Sequence, residues 1–229
     1  MISKKEQSII ENYLKEIGIS HYEPFEELLD HIATSYEQSQ ASDVKHFIDK
    51  QIQPSFGGVK GILKIVKEQN KTRRNFICKR AATIFLSLLK WPMIILTGLM
   101  FFAMKWSLEI FDPKTVSLSI LTLSIFIPML IAFYGQIKFY YSCKKESKAY
   151  TSSNTNLWLF QMMHLPSALL NLLLNLVITQ IVGKESFWIE ISNYPWILAA
   201  ILTFFLMYFY TFLKLYQEKF IFKITHVTY

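Results

Sequence analysis

Glycine is scarce, at seven residues in 229. None of the seven opens a G-x-x-x-x-G-K-[ST] or G-x-G-x-x-G run, so no loop is encoded that cradles phosphate with backbone N–H groups. G-x-S-x-G and H-E-x-x-H are missing too, which removes the two most legible hydrolase arrangements. Cysteine occurs twice, at Cys78 and Cys143, without C-x-x-C spacing; a thiolate metal site is excluded, and two reduced thiols near a membrane surface are expected. The start, with Lys4 and Lys5, has no long apolar core behind it and is not a secretory signal peptide. The most telling absence is acidic. Four long apolar runs contain no Asp or Glu, which argues against proton-coupled transport through a buried carboxylate.

Those runs cover 81–104, 116–136, 157–182 and 195–215. Each reaches the roughly 20 residues that carry a helix across a bilayer. The chain is 52% hydrophobic and 16% aromatic, and the apolar excess is concentrated after residue 80. The expected fold is all-α: a cytosolic helical domain over 1–75, then a four-helix transmembrane bundle over 76–229. The net charge is +7. The basic residues gather beside the apolar runs: Lys60, Lys64, Lys67, Lys71, Arg73, Arg74, Lys79 and Arg80 before the first, and Lys138, Lys144, Lys145 and Lys148 after the second. Lys214, Lys219 and Lys223 lie at the C-terminal end, whereas the other two connections hold only Lys105, Lys114 and Lys184. By the positive-inside rule this places both termini in the cytoplasm, in a multi-pass protein of the inner membrane. Trp106, Tyr140, Tyr141, Trp158, Trp188, Tyr194 and Trp196 mark the run ends, where amphipathic rings prefer to sit. No aromatic–basic interleaving suited to stacking bases is present, so nucleic acid is not an expected partner. The bilayer and its anionic headgroups are, with Arg73, Arg74, Lys79, Arg80, Lys90 and Trp91 at the interface.

The first 75 residues read as short helices. Ile9, Ile10, Tyr13, Leu14 and Ile17 recur at helical spacing before Gly18. Pro24 suits a first turn, and Phe25, Leu28, Leu29, Ile32 and Tyr36 give a second apolar face. Ser42 is the expected cap of a third helix, and Gly57-Gly58 precedes a fourth. That fourth helix either continues unbroken into the first apolar run or breaks near Gln69–Thr72; the sequence leaves both open. A domain of about 75 residues is near the size at which one core is marginal, so a protein partner or a second copy is expected.

The densest ionisable set is Glu26-Glu27-Leu28-Leu29-Asp30-His31. Glu27, Asp30 and His31 share a helix face. Three such groups do not close a metal site, so the face reads as solvated and suited to a partner, with no metal or cofactor expected. The runs Ile10-Glu-Asn-Tyr-Leu-Lys-Glu-Ile-Gly-Ile19 and Phe25-Glu-Glu-Leu-Leu-Asp-His-Ile32 resemble uncharacterised bacterial membrane proteins with an E-L-x-D-H type helix. That start is itself similar to the small helical signalling module called HAAS. Phe56-Gly57-Gly58 stands where the module has a Leu-Gly-Asp turn, without the Asp. The resemblance covers about the first 70 residues. It implies an accessory role, since such modules occur on membrane proteins associated with PadR-type regulators, and no catalytic residue.

In the third run Gln161, His164, Asn171, Asn175 and Thr179 fall on one helical face, with Ala168 filling the gap. Polar groups are costly in hydrocarbon, so this face is expected to look inward, either as interhelical glue or as the lining of a ligand route. Thr83, Ser87, Lys90 and Thr97 form a second polar line. Pro92, Pro128 and Pro166 are expected kinks. The function that fits is regulatory or accessory and non-enzymatic: cytosolic helices meet a protein partner and the bundle senses or anchors. The rival is a small transporter or permease subunit with a polar route along the third span; a lipid-acting membrane enzyme fits least.

Overall fold

The computed structural model describes residues 2–39, 41–172 and 193–224. Among them the chain is helical, and a lone bridge between His21 and Ser152 is the sole strand-like pairing. Helix α1 is Lys4–Glu16. A reciprocal cap opens it: Ser3 Oγ accepts from the Glu6 N–H at 3.3 Å while Glu6 Oε2 accepts from the Ser3 N–H at 2.7 Å. Gly18, at φ +87°, turns the chain out of it. Helix α2, Tyr22–Gln38, buries Phe25, Leu28, Leu29, Ile32 and Tyr36, the face expected from their spacing. Helix α3, Val44–Phe47, is capped by Asp43 and not by Ser42. The Asp43 carboxylate accepts from the Lys45 and His46 N–H groups at 3.3 and 3.2 Å, a reach its longer side chain provides. A π-helical turn, Ile48–Ile52, and the short α4, Gln53–Ser55, follow.

Helix α5, Gly58–Ser87, is unbroken through 69–72. The expected first span, 81–104, is not one helix. The chain leaves α-geometry over 88–92 and resumes as α6, Met93–Ile110. Pro92 is the cause: it brings no N–H to the ladder and disfavours helical backbone at the residue before it. The last turn tightens, with Leu88, Leu89 and Lys90 N–H groups donating to the carbonyls of Phe85, Leu86 and Ser87. Thr97 Oγ1 then donates to the freed Leu88 carbonyl at 2.8 Å, so one polar residue of the first run satisfies the break it stands beside.

Helix α7, Pro113–Lys145, contains the second run and outlasts it by nine residues. Asp112 opens it, accepting from the Thr115 N–H at 2.9 Å, and Pro128 lies inside it. Helix α8, Asn154–Leu172, holds the described part of the third run; the rest of that expected span lies outside the described residues. Helix α9, Pro195–Lys219, extends the fourth run by one turn.

Among the described residues three helices, α6, α7 and α9, are long and apolar enough to cross a membrane. On α6 the apolar surface faces outward: of its residues only Leu108 is buried, while Leu96, Leu99 and Phe102 are 56%, 62% and 59% exposed. In water that surface would associate or aggregate; in hydrocarbon it is at rest. The chain is therefore a membrane protein.

The chain forms two compact units. The first consists of Met1–Phe76 and takes in Gly135–Leu157 and Ile221–Tyr229 as well. Its core joins Ile10, Leu14, Phe25 and Ile32 to Val44, Ile48 and Ile62, with Phe139, Cys143 and Tyr150 from the connection after the second run. The second consists of Ile77–Tyr134 and Trp158–Phe220, with Leu108, Leu198, Ala199 and Leu202 packed together where α6 meets α9.

Gly61, one turn into α5, has a steric reason. A Cβ there would stand 1.7 Å from the Phe56 carbonyl oxygen, which bends over the helix start. Gly61→Ala is expected to destabilise the first unit by about 2 kcal/mol, because the obstacle is backbone and does not rotate away. Cys143, 1% exposed in that unit's core, is the reporter. Its maleimide labelling should rise by about thirtyfold, while exposed Cys78 labels at an unchanged rate.

Candidate functional site

The densest polar construction in the described residues is buried in the first unit and centres on Glu23. It starts where α7 ends. Ser147 takes a left-handed φ of 51°, and the Lys148 N–H turns back to the Cys143 carbonyl at 3.0 Å, a helix stop that asparagine or glycine more often makes. The connection then runs along α2. Tyr150, 1% exposed, packs edge-on to Tyr22 and Phe25 with ring centres 5.2 and 5.4 Å apart. Its hydroxyl donates to Glu26 Oε1 at 2.5 Å, and Lys148 Nζ lies 3.4 Å from the same oxygen. Burial, and then the Glu26 carboxylate, push the Tyr150 phenol well above its ordinary value, so it stays a donor. Two residues on, the Ser152 carbonyl accepts from the Tyr22 N–H at 2.8 Å, and its hydroxyl pairs with His21 Nδ1 at 2.8 Å.

Glu23 follows in register. Ser153 Oγ donates to its Oε1 at 2.7 Å, the Asn154 N–H to Oε2 at 2.8 Å and the Thr155 N–H to Oε1 at 2.9 Å. Asn154 and Thr155 are the first residues of α8, whose opening N–H groups have no partner within the helix. A carboxylate from α2 thus caps α8 and meets the positive end of its dipole. Ser153 also caps from its own chain, accepting from the Asn156 N–H at 3.3 Å. Around this core Asn154 Nδ2 donates to Asn70 Oδ1 at 2.6 Å, and Arg73 Nη1 stands 3.4 Å from Thr155 Oγ1 and 3.8 Å from Glu23 Oε1. Asn156 makes a two-point bond with the Ile221 backbone, at 2.8 and 2.9 Å. Burial pulls the Glu23 pKa upward, but the bonds from Thr155 and Ser153 outweigh it and hold the carboxyl below the ordinary value. With both oxygens engaged, Glu23 is placed to bind segments together rather than to move protons.

Of the expected partner face, Glu27, Asp30 and His31 are all exposed. Glu27 accepts from Gln69 Nε2 at 2.9 Å and lines a shallow groove with Glu68, Thr72 and Phe76. The His31 ring stands edge-on to Phe56, 5.6 Å between centres. Among the described residues no group of three His, Cys, Asp or Glu side chains comes together to hold a metal ion.

Of the interface residues, Arg73 belongs to the knot around Glu23. Arg80 makes a two-point pair with Glu218, both bonds at 2.8 Å. Arg74, Lys79, Lys90 and Trp91 are exposed, Trp91 by 79%. On the intramembrane polar face, Gln161 is exposed and His164 packs edge-on to Phe160 at 4.9 Å. The Asn171 side chain, Asn175 and Thr179 lie outside the described residues.

Sequence reasoning missed Glu23 altogether. Its only local trace is the polar run Ser152-Ser-Asn-Thr-Asn156 before apolar residues, which has the form of a helix start but does not say what else caps it. No family model, curated protein or solved structure matches the chain.

Glu23→Gln keeps the shape and removes the charge. It is expected to destabilise the first unit by about 2 kcal/mol near neutral pH, since amide nitrogen replaces an oxygen that accepts. The sign with pH follows from the lowered pKa. The carboxylate's contribution is complete above the ordinary value of 4.5 and is lost as the pH falls below it. The melting-temperature gap between the two proteins, followed by circular dichroism in detergent, should therefore narrow on acidification below that value.

Proposed function

We propose that this is a multi-pass protein of the inner, cytoplasmic membrane with both termini in the cytoplasm. Its role is regulatory or accessory: the first unit meets a protein partner or a second copy, and the apolar helices anchor it or receive the signal. The orientation is supported by the basic residues, which crowd the segment before the first apolar run, the connection after the second and the C-terminal end. Arg74, Lys79 and Arg80 then lie among anionic headgroups.

One observation carries the partner reading. Helix α2 is two-faced: Phe25, Leu28, Leu29 and Ile32 close the core while Glu27, Asp30 and His31 stand in solvent on the other side. The resemblance of residues 10–32 to the HAAS module points the same way. The four-span reading also belongs to this proposal, with the third crossing beginning in α8. The transporter reading draws no support from the cavity of the second unit. Its described lining is almost wholly apolar and includes neither Gln161 nor His164.

The test uses the full-length protein, extracted from its native membrane in mild detergent. Wild type should retain a protein partner or elute at the mass of a dimer in light scattering. Glu27→Lys with Asp30→Lys should lower that recovery at least tenfold while Cys143 stays protected from maleimide. Unchanged recovery with the double variant would overturn the assignment of this face.

A further inference from the structure

The second unit contains a cavity of about 350 Å³. Ala82 and Phe85 of α5, Met162 of α8, and Phe204, Phe212 and Leu215 of α9 line it. Its size falls within the range of small-molecule sites, about 300–1,000 Å³. Its chemistry is narrow. The two hydroxyls at its wall are already engaged, Tyr208 with the Met162 carbonyl and Thr211 with the Met207 carbonyl at 2.8 Å. No polar ligand would find a free partner among the described lining groups, whereas a hydrocarbon chain needs none. Room exists because α5 places two alanines, Ala81 and Ala82, where its next turn places Phe85 and Leu86.

The cavity has a charged end. Ala81 and Leu215 line it, and the Arg80–Glu218 pair follows directly on the same two helices. Lys79 and Lys214 are exposed beside that pair, and Lys219 is adjacent to it. Arg80, Lys214 and Lys219 all act electrostatically on Glu218, so the carboxylate sits in a cationic surround. A cationic cluster at the end of an apolar slot complements a molecule with a long chain and an anionic head.

We propose that this slot is a specific site for one anionic phospholipid, an acyl chain lying against Ala82 and Phe204 and the phosphate held at Lys79, Arg80 and Lys214. The site rests on the membrane reading and is independent of the protein-partner reading. The lipid would tie α5 to α9, adding to the Arg80–Glu218 bond a hydrophobic contact that the alanines leave unmade. Binding would therefore make the stability of the second unit depend on the headgroup composition of the bilayer.

Native mass spectrometry of the detergent-purified full-length protein tests this. Wild type should carry one phospholipid per chain through purification. After delipidation, phosphatidylglycerol should rebind at least tenfold more tightly than phosphatidylcholine. Ala82→Trp, which fills the slot, should lose retention at least tenfold with Cys143 protection unchanged. Lys79→Glu with Lys214→Glu should keep the chain but abolish the headgroup preference. A wild type with no lipid adduct would overturn the site. So would a graded series of adducts insensitive to Ala82→Trp, the mark of annular lipid, or equal affinity for the two lipids. A protein that stays in the supernatant without surfactant would instead defeat the membrane reading itself.

Discussion

Hydrocarbon as the solvent of α6, α7 and α9 is the constraint on which the rest depends. Helix α6 has 18 residues and one buried side chain among them. A helix apolar on all sides is stable only if its surroundings are apolar on all sides. Each large side chain it exposes would cost about 1.5–3 kcal/mol in water relative to burial. The marginal stability of a folded chain, about 5–15 kcal/mol, does not survive many such terms. Lipid removes them together. It also explains why Thr97, Ser107, Thr203 and Thr211 donate to backbone carbonyls of their own helix or its neighbouring turn: in hydrocarbon no water offers an alternative.

The first unit obeys the opposite economy. Its surface is charged, its core is closed, and its segments come from distant parts of the sequence. Apolar packing alone would not fix the register of an extended connection against a helix. Directional bonds do that. His21, Tyr22 and Glu23 meet Ser152, Ser153, Asn154 and Thr155 in order, so a one-residue slip would leave a buried carboxylate facing carbonyls. An uncompensated buried charge is among the costliest defects a fold can hold. Glu23 therefore specifies the arrangement as well as stabilising it, and it does so at the start of α8, the helix that leads into the third apolar run.

How much of this was legible follows from the range of each interaction. The stop of α1 at Gly18, the apolar face of α2 and the body of α9 were read correctly, because they depend on signals within one segment. The proline at 92 was seen as a kink but the helix end was not. A run of 24 apolar residues looks continuous to a hydropathy window, and only the lost N–H and the pre-proline backbone decide that it breaks. The shift of the cap from Ser42 to Asp43 is the one-residue uncertainty inherent in helix ends. Glu23 was invisible for a different reason. Its partners lie about 130 positions away. An acid in a first helical turn already has a sufficient local explanation in the dipole of its own helix.

The same reasoning bears on why charge could orient the chain while saying little about its sites. Positive-inside asymmetry is a sum over many lysines and arginines, and such sums tolerate errors in any single residue. A site depends on a few groups at hydrogen-bond distance. Arg73 and Arg80 entered the sequence reading as equivalent interface cations seven residues apart on what proved to be one helix. In the folded chain Arg73 has turned toward Thr155 and Glu23, and Arg80 is held by Glu218. Two residues of one type on one helix thus do different work. Arg73 reinforces a buried knot through one nitrogen, and Arg80 closes an ion pair at the end of an apolar slot with the planar fork that a lysine would lack. Only the identity of the group across from each distinguishes them, and that is a property of the fold.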